Sequence, residues 1–118
     1  MPPKEFEYWC RATVLSIHDG DTMTLSIDRG ARLYSVEPIR FYRINAPELF
    51  HPGGKEARDY LRNLVPVGSE VRVQTFKNLN DKYGRWLGDL WAPHAETGVL
   101  FCLNDHMVQA GHASYKAY

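Results

Sequence analysis

Residues 11–27, RATVLSIHDGDTMTLSI, hold two runs of alternating apolar and polar residues around an acidic, glycine-centred tip. Arg11–Ile17 predicts a strand and Thr22–Ile27 its antiparallel partner, with His18, Asp19, Gly20 and Asp21 forming the turn. Aspartate and glycine suit such a tip whatever the function: glycine relaxes the backbone, and the short acid can bond its own main chain. The hairpin therefore sets a β framework and leaves open why it needs two acids.

Working outward, a polar loop with Gly30 and Pro38 leads to a third predicted strand, Ile39–Ile44. Gly53 and Gly54 precede Lys55–Val65, where Ala57, Tyr60, Leu61, Leu64 and Val65 recur at helical spacing and define one apolar face. Pro66 stops that helix. Glu70–Phe76 alternates as a strand does; Asn78–Gly84 reads as a polar loop and Arg85–Ala92 as a fifth strand. Asn104 is expected to cap a short helix running to Ala110, with Gly111 just past its end. Three strands, a helix, two strands and a helix predict a mainly β protein with helices (α+β), a five-stranded barrel of the OB type. Residues 1–118 are expected to form one domain.

Composition narrows the class. The chain has 118 residues, 44% hydrophobic and 24% charged, with 14 basic and 14 acidic side chains. Such a length buries a core without staples, and the balance argues against disorder and against indiscriminate polyanion binding. No apolar run approaches a membrane span, and MPPKEFEYWC has no signal-peptide core, so the expectation is a cytoplasmic monomer with no membrane partner. Cys10 and Cys102 have no metal spacing; they could pair, but two free thiols are expected. Charge is uneven: from Arg29 to Arg85 there are 11 basic and 6 acidic side chains, a surplus of 5.

Within that basic middle lies RFYRINAPELF, Arg40–Phe50, where the strand to Ile44 carries two arginines and the chain then stops at Asn45, Ala46 and Pro47 to present Glu48. Strand parity does not separate Arg40 from Arg43. Taken singly, each acid is a turn or loop residue and each arginine a surface residue. Taken together they have the parts of a phosphodiester hydrolase. Carboxylates and backbone carbonyls suit a hard cation such as Ca²⁺. The guanidinium fork matches phosphate oxygens. A carboxylate can take the proton of an attacking water while fixed positive charge stabilises the transition state.

HDGDT, RFYRINAPE, GKEA, DKYGRWLG and LNDHMVQAGHA occur in that order from about Arg11 to Ala113. In this arrangement the chain resembles the staphylococcal nuclease (thermonuclease) family. The resemblance implies an OB-fold nuclease that cleaves DNA and RNA with Ca²⁺ and leaves 3′-phosphates. Carried onto this chain, it implies Asp21 as the metal-binding aspartate and Asp19 as a nearby acid outside the direct ligand set. Arg40 and Arg85 become the catalytic arginines and Glu48 the general base. Ala46 contributes a backbone carbonyl to the metal, and Lys82 and Tyr83 contact a substrate phosphate.

Three departures accompany the resemblance. Asn45 stands where the best-known members have a second metal-binding aspartate, so it offers an oxygen but no charge. That weakens the Ca²⁺ site and opens it to Mg²⁺ or Mn²⁺. The loop from Glu48 to Lys55 is short. Ala117 falls where a base-stacking tyrosine is expected, leaving Tyr115 or Tyr118 to replace it. The expected substrate is DNA and/or RNA, single-stranded or locally melted, since an OB groove with stacking aromatics fits an unpaired strand. The rival is a non-catalytic OB module that binds nucleic acid or protein, which has no use for Asp21, Arg40, Glu48 and Arg85 together. A histidine metal site is disfavoured because His106 and His112 are not an i, i+4 pair.

Overall fold

The computed structural model describes residues 9–77 and 85–116. β1 (Cys10–Asp19) and β2 (Thr22–Gly30) make the expected hairpin, its tip reduced to Gly20 and Asp21. Ala12, Val14 and Ile17 of β1 and Met23, Leu25 and Ile27 of β2 point into the core. The step from Val14 to Ile17 breaks the two-residue alternation because the register slips between Val14 and Ser16, a local bulge.

β3 (Leu33–Phe41) starts at Leu33 rather than at the predicted Ile39. Pro38 was a loop signal in the sequence, yet it pairs opposite Thr24 of β2. Only Ile39–Phe41 of β3 has a partner on its other side. Pro38 therefore lies along an open edge, where a missing N–H is tolerated. The strand also ends early, at Phe41. Arg43 turns the chain with φ 69°, and β4 (Ile44–Asn45) belongs to a separate small sheet.

α1 (Gly54–Leu64) follows a left-handed Gly53 and buries Ala57 and Leu61, matching the predicted apolar face. β5 (Glu70–Lys77) pairs with β1 and with β6 (Trp86–Pro93). Two unanticipated strands follow: β7 (Leu100–Cys102) on β6, and β8 (Ser114–Tyr115) on β4. They are too short to show an alternation. Between them runs α2 (Leu103–Gln109). β1–β2–β3–β6–β5 closes back on β1, the five-stranded OB barrel expected from the strand order. Among the described residues, no helix is long and apolar enough to cross a membrane.

Closure rests on the parallel β3–β6 seam, where Ile39, Arg40 and Phe41 face Trp86, Leu87 and Gly88. A Cβ at Gly88 would come within 2.7 Å of Ile39 Cγ2, so only glycine lets the strands meet. Asn104 completes the seam, and here the sequence reading needs correction. The residue at the N-cap of α2 is Cys102, and Asn104 lies inside the helix, fully buried. Its Oδ1 accepts Leu90 N–H at 3.0 Å, and its Nδ2 donates to Tyr42 O at 2.7 Å and Gly88 O at 3.1 Å. A capping asparagine and a buried one look alike in sequence; the three backbone groups it bonds at the seam, Leu90 N–H and the carbonyls of Tyr42 and Gly88, decide between them.

Asn104→Ala should therefore cost about 3 kcal/mol, because it strands a buried Leu90 N–H as well as removing the bonds. Urea unfolding measures it, and a loss below about 1 kcal/mol would show that the amide does not hold the seam.

Candidate functional site

The two acids at the hairpin tip are both buried, Asp21 to 4% exposure and Asp19 to 9%. Asp21's carbonyl accepts Phe41 N–H at 2.8 Å, which fastens the tip to the end of β3. Its carboxylate Oδ2 accepts Arg40 Nη1–H and Ala46 N–H, each at 3.0 Å, and its Oδ1 accepts the Thr22 hydroxyl at 3.2 Å. Arg40 Nη2 donates to Asn45 Oδ1 at 2.9 Å. Four residues singled out in sequence, Asp21, Arg40, Asn45 and Ala46, thus converge from the tip, β3 and β4. Asp19 Oδ1 accepts Asp21 N–H at 3.2 Å and stands beside them.

Small residues make this convergence possible. A Cβ at Gly20 would lie 2.7 Å from Ala57 Cβ and 2.9 Å from Ala46 Cβ, so glycine lets α1 and the 46–48 segment close on the tip. A Cβ at Gly54 would lie 2.7 Å from the Glu48 carbonyl carbon and 2.9 Å from Leu49 Cα. Position 54 therefore seats the backbone of Glu48 directly on the start of α1. His51 N–H bonds the Glu48 carbonyl at 2.9 Å, which tightens the same turn, while the Glu48 side chain is exposed.

Arg85 is half-buried just ahead of β6, two residues before Leu87, the residue in register with Arg40. Lys82 and Tyr83 lie outside the described residues. Tyr115 sits on β8 with its ring exposed and its hydroxyl donating to Asp105 Oδ1 at 2.9 Å.

The structure separates the two arginines that strand parity could not. Arg43, in its left-handed turn, leaves the Asp21 group and reaches Asp89 of β6 and Asp105 of α2, each at 3.2 Å. Burial lowers its affinity for a proton, but the two carboxylates outweigh that and the net direction is upward. Asp89 is raised too, because burial there outweighs the pull of Arg43. The geometry places both groups as an ion pair. These partners lie 46 and 62 residues from Arg43, too far for any local pattern to reveal. Both cysteines are free and half-buried. Burial pushes the Cys102 thiol up to about 11, which leaves it protonated and inert near neutrality.

Burial pushes the Asp21 carboxyl up to about 6, with Asp19 adding to the rise. The Ala46 N–H and Arg40 oppose it without cancelling it. A carboxylate whose charged form is penalised by burial is one that a cation would stabilise. The donors at hand are all oxygen, as hard cations require: Asp21, Asp19, the Asn45 amide and backbone carbonyls. Among the described residues, no three His, Cys, Asp or Glu side chains converge, so the set carries little charge. Its chemistry suits a loosely held Ca²⁺, Mg²⁺ or Mn²⁺.

Residues 38–118 match the family described as staphylococcal nuclease homologue. The chain is 37% identical to a protein named micrococcal nuclease from Shigella flexneri, over 92% of this chain and 60% of that one. It is 35% identical to an uncharacterized endonuclease of Escherichia coli O157:H7, over 85% of this chain and 57% of the other. It is 31% identical to endonuclease YhcR of Bacillus subtilis (strain 168), over 75% of this chain but 8% of that much longer protein. The chain thus spans little more than half the length of the first two relatives.

The raised carboxyl of Asp21 has a definite sign. Its contribution to stability is fully present below the unfolded value of 3.8 and is lost as pH rises through about 6. The loss is on the order of 3 kcal/mol. Asp21→Asn removes the titration, so in chelated buffer the variant should exceed the parent by about 1–3 kcal/mol at pH 7 and by nothing near pH 4. Urea unfolding at the two pH values tests this; an equal gain at both would assign the effect to packing rather than charge.

Proposed function

The chain belongs to the staphylococcal nuclease homologue family, and from that premise we propose that it is a metal-dependent nuclease. It hydrolyses phosphodiester bonds of DNA and/or RNA with low sequence preference, since phosphate contacts carry no base information. The observation that carries the reading is the contact of Arg40 with both Asp21 and Asn45, which sets a phosphate-seeking group against an oxygen-rich cation site.

In this reading Asp21, the Asn45 amide oxygen and the Ala46 carbonyl hold the cation, with Asp19 behind them. A cation held by these oxygens would supply Lewis-acid polarisation of the phosphoryl group. Asp21 and Asn45 fix the plane of the Arg40 guanidinium, so a phosphate oxygen meets an oriented fork rather than a mobile one. Arg85 supplies the second fixed charge as negative charge builds on the phosphoryl oxygens. Glu48, exposed on a turn whose backbone is pinned, takes the proton of the attacking water. Lys82 and Tyr83 contact a neighbouring phosphate. The exposed ring of Tyr115 is a stacking surface for an unpaired base, which favours single-stranded or locally melted substrate. Cleavage leaves a 3′-phosphate.

Excess chelator should abolish digestion of a single-stranded oligonucleotide, with activity returning on addition of Ca²⁺, Mg²⁺ or Mn²⁺. Arg40→Lys and Arg85→Lys should each lower kcat on the order of 10²-fold, because lysine keeps charge and loses the fork. Full activity in chelator would overturn the metal-dependent reading, and digestion with neither arginine needed would overturn the mechanism.

Asn45 offers a sharper test of the cation site. Affinity for Ca²⁺ follows the number of charged ligands. Asn45→Asp should tighten Ca²⁺ roughly tenfold, about 1.4 kcal/mol, and Asn45→Ala should weaken it. Calorimetric titration of the three proteins decides the matter; equal affinities would confine Asn45 to holding Arg40.

A further inference from the structure

The short loop between Glu48 and Lys55 carries a side chain that the nuclease reading does not use. Phe50 is 94% exposed, while the other exposed large hydrophobic side chains among the described residues range from 42% to 67%. We propose that Phe50 is a wedge, which enters a base step of double-stranded nucleic acid beside the bond to be cut and unstacks it. The proposal rests on the nuclease reading and deepens it, because it says how a paired strand becomes a locally melted substrate.

A single exposed hydrophobic residue means nothing by itself. Phe50 differs in how it is held. The bond from His51 N–H to the Glu48 carbonyl closes residues 48–51 into one β-turn, with Leu49 and Phe50 at its corners. Leu49 is half-buried and Phe50 stands out. Gly54 N–H bonds the His51 carbonyl at 3.0 Å and Ala57 N–H bonds the Gly53 carbonyl at 3.0 Å, which carries the turn straight into α1. On such a preformed support the ring has little backbone freedom left to lose on binding.

Position follows from the same turn. Glu48, which takes the water's proton in the nuclease reading, opens it, and two residues of chain span at most about 7 Å. That is about the length of two base steps along one strand. Both side chains therefore reach the same few nucleotides. Shape then separates a wedge from a stacking seat. A seat for one unpaired base needs a single open ring face and gains from walls around it. Phe50 has neither wall nor cover, so both of its faces are open. Insertion between two stacked bases uses both faces and takes the ring out of water, which offsets the cost of unstacking. Phenylalanine is one of the apolar side chains that enter base steps in this way.

Three forms of one DNA sequence provide the test: a short duplex labelled on one strand, that strand alone, and the duplex with a run of mismatches at its centre. Each is digested in the presence of Ca²⁺, Mg²⁺ or Mn²⁺. Phe50→Ala should lower kcat/KM on the paired duplex roughly tenfold, the scale of one lost contact between an aromatic ring and a base. On the single strand and the mismatched duplex it should change kcat/KM by less than about twofold. Phe50→Trp keeps a flat ring and should cut the paired duplex at close to the parent rate. The ring touches little of the protein, so neither change threatens the fold. Equal loss on all three substrates, or loss on none, would overturn the wedge and leave the nuclease reading standing. So would a Phe50→Trp variant as poor on the duplex as Phe50→Ala, or a parent that cuts the single strand and not the duplex. Digestion of none of the three by the parent with any cation would overturn the nuclease reading, and the wedge with it.

Discussion

The structure depends on a closed seam between two strands that run in the same direction. β3 and β6 meet over only three residue pairs, and nothing in that short contact would hold a barrel shut alone. Gly88 removes the side chain that would keep the strands apart, and Asn104 ties the open backbone groups on either side. The polar amide is worth burying because all of its hydrogen-bonding capacity toward the seam is used. The candidate site sits on that seam: Arg40 is the middle residue of the β3 contact, and Arg85 immediately precedes the β6 contact.

Around the site, charge is arranged in two separate groups. Asp21 and Asp19 are buried beside a half-buried Arg40, and burial holds the Asp21 carboxyl above its ordinary range despite that arginine. Arg43, Asp89 and Asp105 form the other group, where one arginine spans two carboxylates and Tyr115 adds a hydroxyl. The first group brings carboxylate and amide oxygens together around one guanidinium. The second is satisfied within the protein and fixes geometry. It ties the turn before β4 to β6 and α2, and β4 in turn carries Asn45.

Most of the barrel was legible because β2 and β5 alternate in sequence, β1 does so up to its bulge, and helix α1 has a single apolar face. Elements failed where the signal was either too short or chemically ambiguous. β4 and β8 have two residues each, below any useful period. Pro38 marks a loop in most contexts and an edge strand in this one. Asn104 has the residue type of a cap and the burial of a core side chain. At the site, order along the chain was enough to nominate Asp21, Arg40, Asn45 and Ala46, and the fold brings those four together. It was not enough to distinguish Arg40 from Arg43, because that difference is made by a left-handed turn and by acids that are neighbours only in space. The close seats of Gly20 and Gly54 were likewise invisible, since a glycine beside a turn reads as flexibility until its neighbours are placed.

The seam also sets the order in which the chain can acquire its shape. The β1–β2 hairpin and β3 are contiguous and can pair as soon as they exist. Gly88 meets β3 only after a long excursion through α1 and β5, and the Asn104 bonds to Tyr42 and Gly88 span 62 and 16 residues. Closing such distant partners costs chain entropy before it yields any contact, so folding should be slow for a domain of this size. On the ribosome, a growing chain would hold an open, half-formed sheet, with the Ile39–Phe41 edge of β3 unpaired, until β6 and then α2 emerged. That interval is when the chain is most open to pairing with the wrong strand.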